Sequence, residues 1–235
     1  MLIRERAFVL KTMPYREEHI LVTLLTEKNG IRRALAQKAQ LCNHPLHAVC
    51  QPLVEADFLL RASIGGLATI LQSEVIHFHS EVRFDVAKSA FAAVFSEWLI
   101  QAAGDEGLLH PLQSFACYES GLYWLEESRV IPALVYLRFL ACTIKEAGLS
   151  LDRYEIGKMA LSTSAASLLD GLITEGQRDD LAASSQAATD ELVSKISSWI
   201  YDQTGIVLKS LKIALQLSIG TIDTYQVDWK RGEER

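Results

Sequence analysis

Short apolar runs separated by turn residues fill the first third of the chain, a pattern typical of β-strands. The runs are rich in Val, Ile, Leu and Thr. Five strands are predicted, at Phe8–Lys11, at His19–Thr26, in the run that follows Asn29-Gly30, at Leu53–Arg61 and at Leu67–Phe78. Five strands within about eighty residues match the strand count of an OB barrel.

Two glycine-containing segments predict the hairpin turns of this barrel. Asn29-Gly30 tolerates positive φ at both central positions of a type I′ turn, so it predicts a tight hairpin between the second and third strands. Ser63-Ile64-Gly65-Gly66 predicts a second hairpin. The stretch Gln40–Pro52 contains prolines and is expected to be irregular, and Leu53–Leu60 also fits a short helix.

The spacing of apolar residues changes after Glu81 to every third or fourth position, as on one face of a helix. The first series is Phe84, Ala87, Phe91, Val94 and Trp98, in a helix that should end near Gly104. Further helices are predicted over Leu108–Glu126, Val130–Ala147, Ala165–Leu172, Ala187–Asp202 and Leu208–Leu217. We therefore expect an α+β protein, with an N-terminal five-stranded OB-fold β-barrel (residues 1–80) followed by an all-helical C-terminal domain (residues 81–235).

Charge is distributed unevenly along the 235 residues. The formal net charge is −6, which argues against nucleic-acid binding by the chain as a whole. Residues 1–80, however, hold nine Lys and Arg against seven Asp and Glu, so the remainder carries −8. Only the first third is a plausible surface for a polyanion.

The candidate phosphate contacts are the cations of the predicted barrel. They are Lys11, Arg16, Lys28, Arg32, Arg33 and Lys38. They would form a basic rim, or they are solvated strand edges that discourage edge pairing. Arg32 and Arg33 are adjacent on a strand and must face opposite ways. Aromatic platforms for bases are sparse: Tyr15 is a candidate, while Phe8 and Phe58 are expected to fill the barrel.

Cysteine and histidine positions give no clear metal or disulfide signal. Cys42, Cys50, Cys117 and Cys142 contain no CxxC pair, so we expect unpaired thiols in a reducing cytosol. His77 and His79 lie on one strand face, but no third ligand is near in sequence, so a polar strand end is the favoured interpretation. We expect no cofactor and no metal.

Motifs for catalysis and for membrane insertion are also missing from the sequence. The chain contains no GxGxxG, GxxxxGK[ST], GxSxG or HExxH, so enzymatic activity is not expected. Apolar windows stay well short of the roughly 18 residues of a membrane span, so we expect a cytoplasmic protein.

The segment Ala7–Ala39, AFVLKTMPYREEHILVTLLTEKNGIRRALAQKA, resembles the N-terminus of the RecO family of DNA repair and recombination mediators. Weaker similarities to the family are Arg138-Phe139, Gly148, Leu151-Asp152-Arg153 and the stretch Gly205–Ser210. The resemblance implies an OB-fold domain, a helical domain, binding of single- and double-stranded DNA, strand annealing and loading of recombinase. It also implies two partners, RecR and the acidic tail of single-strand DNA-binding protein.

This chain departs from the RecO pattern in three places. Tyr154 and Gly157 replace the cysteines of a family CxxC, so no structural zinc is expected there. Gln37-Lys38 replaces a family Lys-Gly, so that turn could differ. Neutral residues replace the basic ones that usually follow the third strand; they are Gln37, Gln40, Cys42, His44 and His47.

Arg138 and Lys145 are the candidate partner-binding residues of the helical domain. They lie seven residues apart, about two turns along one predicted helix, with Leu134 and Leu137 one helical step from Arg138. A cation beside an apolar groove suits a peptide that ends in hydrophobic residues and a carboxylate. The alternative is an ordinary surface arginine whose stem lies on the core.

Taken together, these features predict a non-enzymatic recombination mediator. The alternative is an OB-fold protein–protein adapter with little direct DNA binding. This alternative is favoured by the neutral residues that follow the third strand and by the net charge of −6. A hydrolase on a helical scaffold is a third hypothesis, and it would need a nucleophile and a base in contact within a cleft.

Overall fold

The structure, a computed structural model, describes residues 1–62, 66–103, 109–127, 131–149, 153–173 and 186–219. The strands are β1 (Leu2–Tyr15), β2 (His19–Thr26), β3 (Gly30–Ala36), β4 (Glu55–Arg61) and β5 (Ala68–His77). The helices are α1 (Pro45–Val49), α2 (Ser80–Phe84), α3 (Val86–Ala102), α4 (Pro111–Glu126), α5 (Pro132–Glu146), α6 (Arg153–Lys158), α7 (Thr163–Ile173), α8 (Gln186–Thr204) and α9 (Lys209–Ile219). None of these helices is long and apolar enough to cross a membrane.

The five strands close into a barrel in the order β1-β2-β3-β5-β4. Strand β1 pairs antiparallel with both β2 and β4, and a short parallel pairing of β3 with β5 completes the barrel. This is the five-stranded OB barrel, so the predicted α+β class is confirmed. Helix α1 interrupts the stretch that was expected to be irregular.

The barrel has an inner core and an outer apolar side that the helices cover. Val9, Leu24 and Phe58 are buried inside, as expected for Phe58. Phe8 instead points outward, with its ring centroid 4.9 Å from that of Phe115 and 5.2 Å from that of Tyr118. The prediction that Phe8 fills the barrel is therefore wrong. Since Ala7 and Val9 are also buried, β1 is covered on both sides here and the sequence shows no polar alternation.

The hairpin between β2 and β3 has a different turn from the one predicted. Thr26 pairs with Gly30, so the loop contains the three residues 27–29, and only Gly30 takes a positive φ, of 65°. The buried Glu5 carboxylate fixes this loop by accepting hydrogen bonds from the backbone N–H of Lys28 (2.8 Å) and from Asn29 Nδ2 (2.8 Å). A three-residue loop with a glycine at its end is the next commonest hairpin after the two-residue turn. The Ser63–Gly65 part of the second predicted turn lies outside the described residues.

The predicted helices are present as α3, α4, α5, α7, α8 and α9. Phe91, Val94 and Trp98 of α3 are fully buried, as their spacing predicts. Phe84, however, lies in the separate helix α2 and is 89% exposed, because α2 ends before α3 begins at Val86. Helix α4 packs closely on α3 at Gly121, where a Cβ atom would lie 3.1 Å from the Phe95 ring.

The thiols are not all unpaired. Cys117 of α4 and Cys142 of α5 form a disulfide, which corrects the expectation from sequence spacing. The two cysteines are 25 residues apart and meet only because the helices pack side by side. Cys42 is exposed and Cys50 is buried, and both are free.

Replacing Gly121 with Ala should destabilise the protein by about 1–3 kcal/mol, because the added methyl meets the stacked, fully buried rings of Phe95 and Phe139. The matched control is Gly171→Ala in α7, where the added methyl meets nothing within 4 Å and should stabilise by about 0.5–1 kcal/mol. Both substitutions gain helix propensity, so the difference between their urea unfolding free energies isolates the clash. Equal effects would contradict the packing described.

Thiol reactivity should separate the four cysteines. Burial raises the pKa of Cys50 to about 12, so its reactive thiolate is scarce near pH 8. Native protein purified without reductant should therefore show fast labelling by DTNB at Cys42 alone. Labelling of Cys50 should need unfolding, and labelling of Cys117 and Cys142 should need reduction as well. Fast labelling of Cys50 in the native protein would contradict its placement in the core.

Candidate nucleic-acid interface

Strand register places Lys11 and Arg33 on the same outer face of the barrel. Lys11 pairs with Thr23 of β2, and Thr23 pairs with Arg33 of β3. Directly paired residues project to the same side of a sheet, and two strand spacings separate the two cations by roughly 10 Å. Both side chains are exposed, and neither forms an ion pair with any residue that the structure describes.

An apolar row runs beside the row of cations. Two residues further along the strands, Met13 of β1 pairs with Leu21 of β2, and Leu21 pairs with Leu35 of β3. Met13 is 47% exposed. Tyr15, paired with His19, follows on the same face. We call this surface the outer patch; it comprises Lys11, Met13, Tyr15, His19, Leu21, Thr23, Arg33 and Leu35. It offers positive charge and partly exposed apolar surface together, which suits a ligand with phosphates and bases.

Two further cations lie at the Tyr15 end of the outer patch. The Arg16 guanidinium carbon is 5.3 Å from the centroid of the Tyr15 ring. Lys38, in the turn that follows β3, donates its backbone N–H to His19 Nδ1 at 3.0 Å. Gln40 Nε2 donates to the carbonyls of Arg16 (3.2 Å) and His19 (2.7 Å), which ties the two loops together.

The remaining two predicted contacts lie elsewhere, so the six cations do not form one rim. Arg32 pairs with Leu24, whose side chain points into the barrel, and therefore Arg32 faces away from Arg33. Lys28 lies in the loop at the opposite end of β2 from the Tyr15 end, roughly 23 Å along the strand. Sequence inspection separated Arg32 from Arg33 but missed the apolar row, because the row appears only when the register of three strands is known.

Two other arginines of the barrel, Arg4 and Arg6, form ion pairs with carboxylates. The Arg6 guanidinium donates to both Glu55 and Glu119. Burial opposes its charge, yet these two hydrogen bonds leave the pKa of Arg6 raised. Arg4 pairs with Glu74 at 3.2 Å. Neither arginine is therefore part of the candidate interface.

Comparison with known proteins identifies the barrel. Residues 1–79 match the family model described as "Recombination protein O N terminal". This match covers about a third of the chain, and the barrel is similar to the N-terminal domain of the RecO family. DNA repair protein RecO of Bacillus pumilus (strain SAFR-032) is 37% identical over 99 residues, covering 42% of this chain and 38% of that protein. DNA repair protein RecO of Syntrophomonas wolfei is 28% identical over 181 residues, covering 77% of this chain and 64% of the relative. The matched region thus spans less than two thirds of these relatives.

The turn that departs from the RecO sequence pattern keeps a glycine-like backbone. Lys38 stands where the family has glycine, and its φ is 57°, in the left-handed region that costs an L residue about 1–2 kcal/mol. The neutral residues that follow have local structural roles. Gln40 bridges the two loops, His47 Nδ1 lies 2.9 Å from the Ala39 carbonyl oxygen, and His44 Nδ1 caps α1.

The two residues predicted from sequence to bind a partner, Arg138 and Lys145, lie along one side of α5. The Arg138 guanidinium carbon is 4.1 Å from the centroid of the Trp124 ring of α4, and Lys145 is exposed. Leu134 and Leu137 are buried in the core, so the apolar neighbour that was expected from sequence is replaced by Trp124. The two helices thus present a stacked cation, a second cation and partly buried aromatic surface.

Proposed function

We propose that this chain acts in DNA repair and homologous recombination, as a mediator that binds single- and double-stranded DNA through the outer patch of its barrel. The observation that carries the proposal is the alignment of Lys11 and Arg33 across β1, β2 and β3, beside a partly exposed apolar row. The similarity of the barrel to the N-terminal domain of RecO supports the same function.

The chemistry of the outer patch suits backbone binding without sequence readout. Lys11 and Arg33 would contact phosphates and release counterions, while Tyr15 would stack on a base. Lys38 and Arg16, at the Tyr15 end of the outer patch, would add two further phosphate contacts.

The proposed role needs no catalytic residue. Annealing is accelerated when phosphate repulsion is screened and two strands are held at high local concentration. The chain would therefore work as a non-enzymatic cytoplasmic protein, and it would help RecR and single-strand DNA-binding protein to load recombinase. The helical part would recruit the acidic, hydrophobic tail of single-strand DNA-binding protein at Arg138 and Lys145.

An adapter that binds proteins and not DNA is the second candidate function. It is favoured by Glu17 and Glu18, which are exposed in the same turn as Arg16, and by the separation of Lys28 and Arg32 from the outer patch. The two carboxylates in this turn weaken the attraction of Arg16 for a phosphate.

A charge-matched pair of variants tests the outer patch. Lys11→Gln with Arg33→Gln should weaken binding of single-stranded DNA at least about tenfold, equally for all sequences. The control is Lys28→Gln with Arg32→Gln, which removes the same charge away from the patch and should have a much smaller effect. Affinity measured against salt should give a slope shallower by roughly 1.4 for the patch variant, since two phosphate contacts are lost. Equal losses of DNA affinity in both variants would contradict the assignment of the outer patch. If the parent chain does not bind DNA at low salt, only the adapter hypothesis would remain.

The partner site is tested with a peptide that ends in acidic and hydrophobic residues and a free carboxylate. Arg138→Gln with Lys145→Gln should weaken its binding about tenfold and leave DNA affinity unchanged. Arg138→Lys should bind the peptide with intermediate affinity, because it keeps the charge but loses the guanidinium contact with the Trp124 ring. The charge-matched control is Lys195→Gln with Lys212→Gln, two exposed lysines of α8 and α9. Similar peptide affinity in all variants would remove this role from α5.

A further inference from the structure

We propose that His77, His79 and Glu126 form a binding site for a divalent transition-metal ion of the zinc class, at the junction between the barrel and the helices. His77 ends β5, His79 precedes α2 and Glu126 ends α4. One ligand atom from each residue lies within 4.8 Å of the other two. The sequence placed both histidines on one strand face without a third ligand, and the fold supplies that ligand from 47 residues away.

The geometry of the three side chains is that of a converging ligand set. His79 Nδ1 lies 2.9 Å from Glu126 Oε1, and His77 Nδ1 lies 3.6 Å from the same oxygen. The two imidazole rings meet edge to face, with centroids 4.3 Å apart. Zinc bound to nitrogen and oxygen at about 2.0–2.2 Å brings its ligand atoms to comparable separations. A small inward movement of these side chains would therefore enclose an ion.

The backbone is shaped to bring the two histidines together. His79 has a φ of 47°, in the left-handed region that is unusual for a histidine. This conformation reverses the chain between β5 and α2 and turns His79 back toward His77. Its own backbone N–H donates to His77 Nδ1 at 3.0 Å, a contact that metal binding would replace.

The environment of the second ring nitrogen of His79 is separate evidence that this residue binds a metal ion. The side chain is 7% exposed, and among the described residues Nε2 has no hydrogen-bond partner. A carboxylate oxygen, Glu55 Oε2, lies 3.9 Å from this nitrogen. Histidines that bind a metal through one nitrogen almost always donate the other N–H to a carboxylate or carbonyl. With Nδ1 on the ion, Nε2–H would face the buried Glu55 in that role.

The charge around the site also favours a cation. The carboxylates of Glu55 and Glu119 share a single guanidinium, that of Arg6. Lys88 Nζ donates to the Glu126 backbone carbonyl at 3.3 Å, and the Glu126 carboxylate lies against His77 and His79. Two carboxylates therefore share one cation, which favours a further positive charge in this region.

The donor set selects the class of ion. Two imidazoles and one carboxylate suit zinc, cobalt and nickel better than magnesium or calcium, which prefer oxygen ligands. Three protein ligands leave a fourth position open, and His77, with half of its side chain exposed, gives access from solvent. Because the ligands come from β5, the α2 cap and α4, a bound ion would tie the barrel to the helices. No cysteine takes part, so this site differs from one built on a CxxC.

The test is Co²⁺ titration of the full chain followed by visible absorption, with Zn²⁺ competition and thermal unfolding. We expect one equivalent of Co²⁺ with visible d–d bands, no strong near-ultraviolet thiolate band, displacement by Zn²⁺ and a higher Tm with metal. His79→Gln and Glu126→Gln should abolish this uptake. His77→Gln alters a half-exposed side chain, so it should fold normally and lose at least about tenfold in affinity. The control is His110→Gln, an exposed histidine outside the cluster, which should bind Co²⁺ like the parent chain.

Three results would overturn the proposal. They are failure of the parent chain to take up one equivalent, binding of Co²⁺ by His77→Gln and His79→Gln with the affinity of the parent chain, and a thiolate charge-transfer band that assigns the ion to cysteine.

Discussion

Burial of Phe8 between the barrel and the helices is the contact on which the rest of the structure depends. Its ring packs on Phe115 and Tyr118 of α4, so the outer side of β1 becomes part of the helical core. The pairing of β1 with β2 shifts register between Val9 and Lys11, and from Lys11 onward the outer face of β1 is exposed. One strand therefore anchors the helices with its first part and forms the outer patch with its last part. The position of the candidate DNA surface follows from where the helices stop covering β1.

A polar network surrounds this aromatic contact. The Arg6 guanidinium carbon lies 5.2 Å from the Phe115 ring centroid while the group donates to Glu55 and Glu119, and the His79 ring centroid lies 5.9 Å from that of Phe8. Of the three ion-paired side chains only Glu55 is buried (5% exposed), while Arg6 (32%) and Glu119 (42%) are partly exposed, so these ion pairs add little net stability. Their effect is to fix geometry: a shift of α4 along β1 would separate Glu119 from Arg6. The same network places Glu126 against the histidines, so the proposed metal site and the docking of the helices share one set of contacts.

Sequence patterns predicted the elements well and their mutual contacts poorly. The bounds of β2 were predicted correctly, because turn signals flank a run that must bury one face. The direction in which the Phe8 side chain points was not predicted correctly, because apolar residues on both sides of β1 remove the alternation of apolar and polar positions that would indicate it. The pairing of Cys117 with Cys142 and the approach of Glu126 to His77 depend on how helices pack, which no local spacing encodes. The six predicted cations were individually exposed as expected, but only strand register separates the outer patch from Arg32 and Lys28.

The acidic net charge is compatible with the proposed binding of DNA by the barrel, because electrostatic interactions in salt solution are short-ranged. The Debye length is about 8 Å at physiological ionic strength, so exposed charges farther away are largely screened. Lys11 and Arg33, roughly 10 Å apart, would both act on a DNA strand that lies across Thr23. The sequence after residue 80 carries eight excess negative charges, and the helices that the structure describes join the barrel on the Phe8 side of β1. The proposed attraction for a polyanion would thus be decided by the outer patch and its immediate neighbours. Glu17 and Glu18, in the turn beside Tyr15, are the closest opposing charges in sequence, and their balance against Arg16 and Lys38 would set the strength of binding at that end.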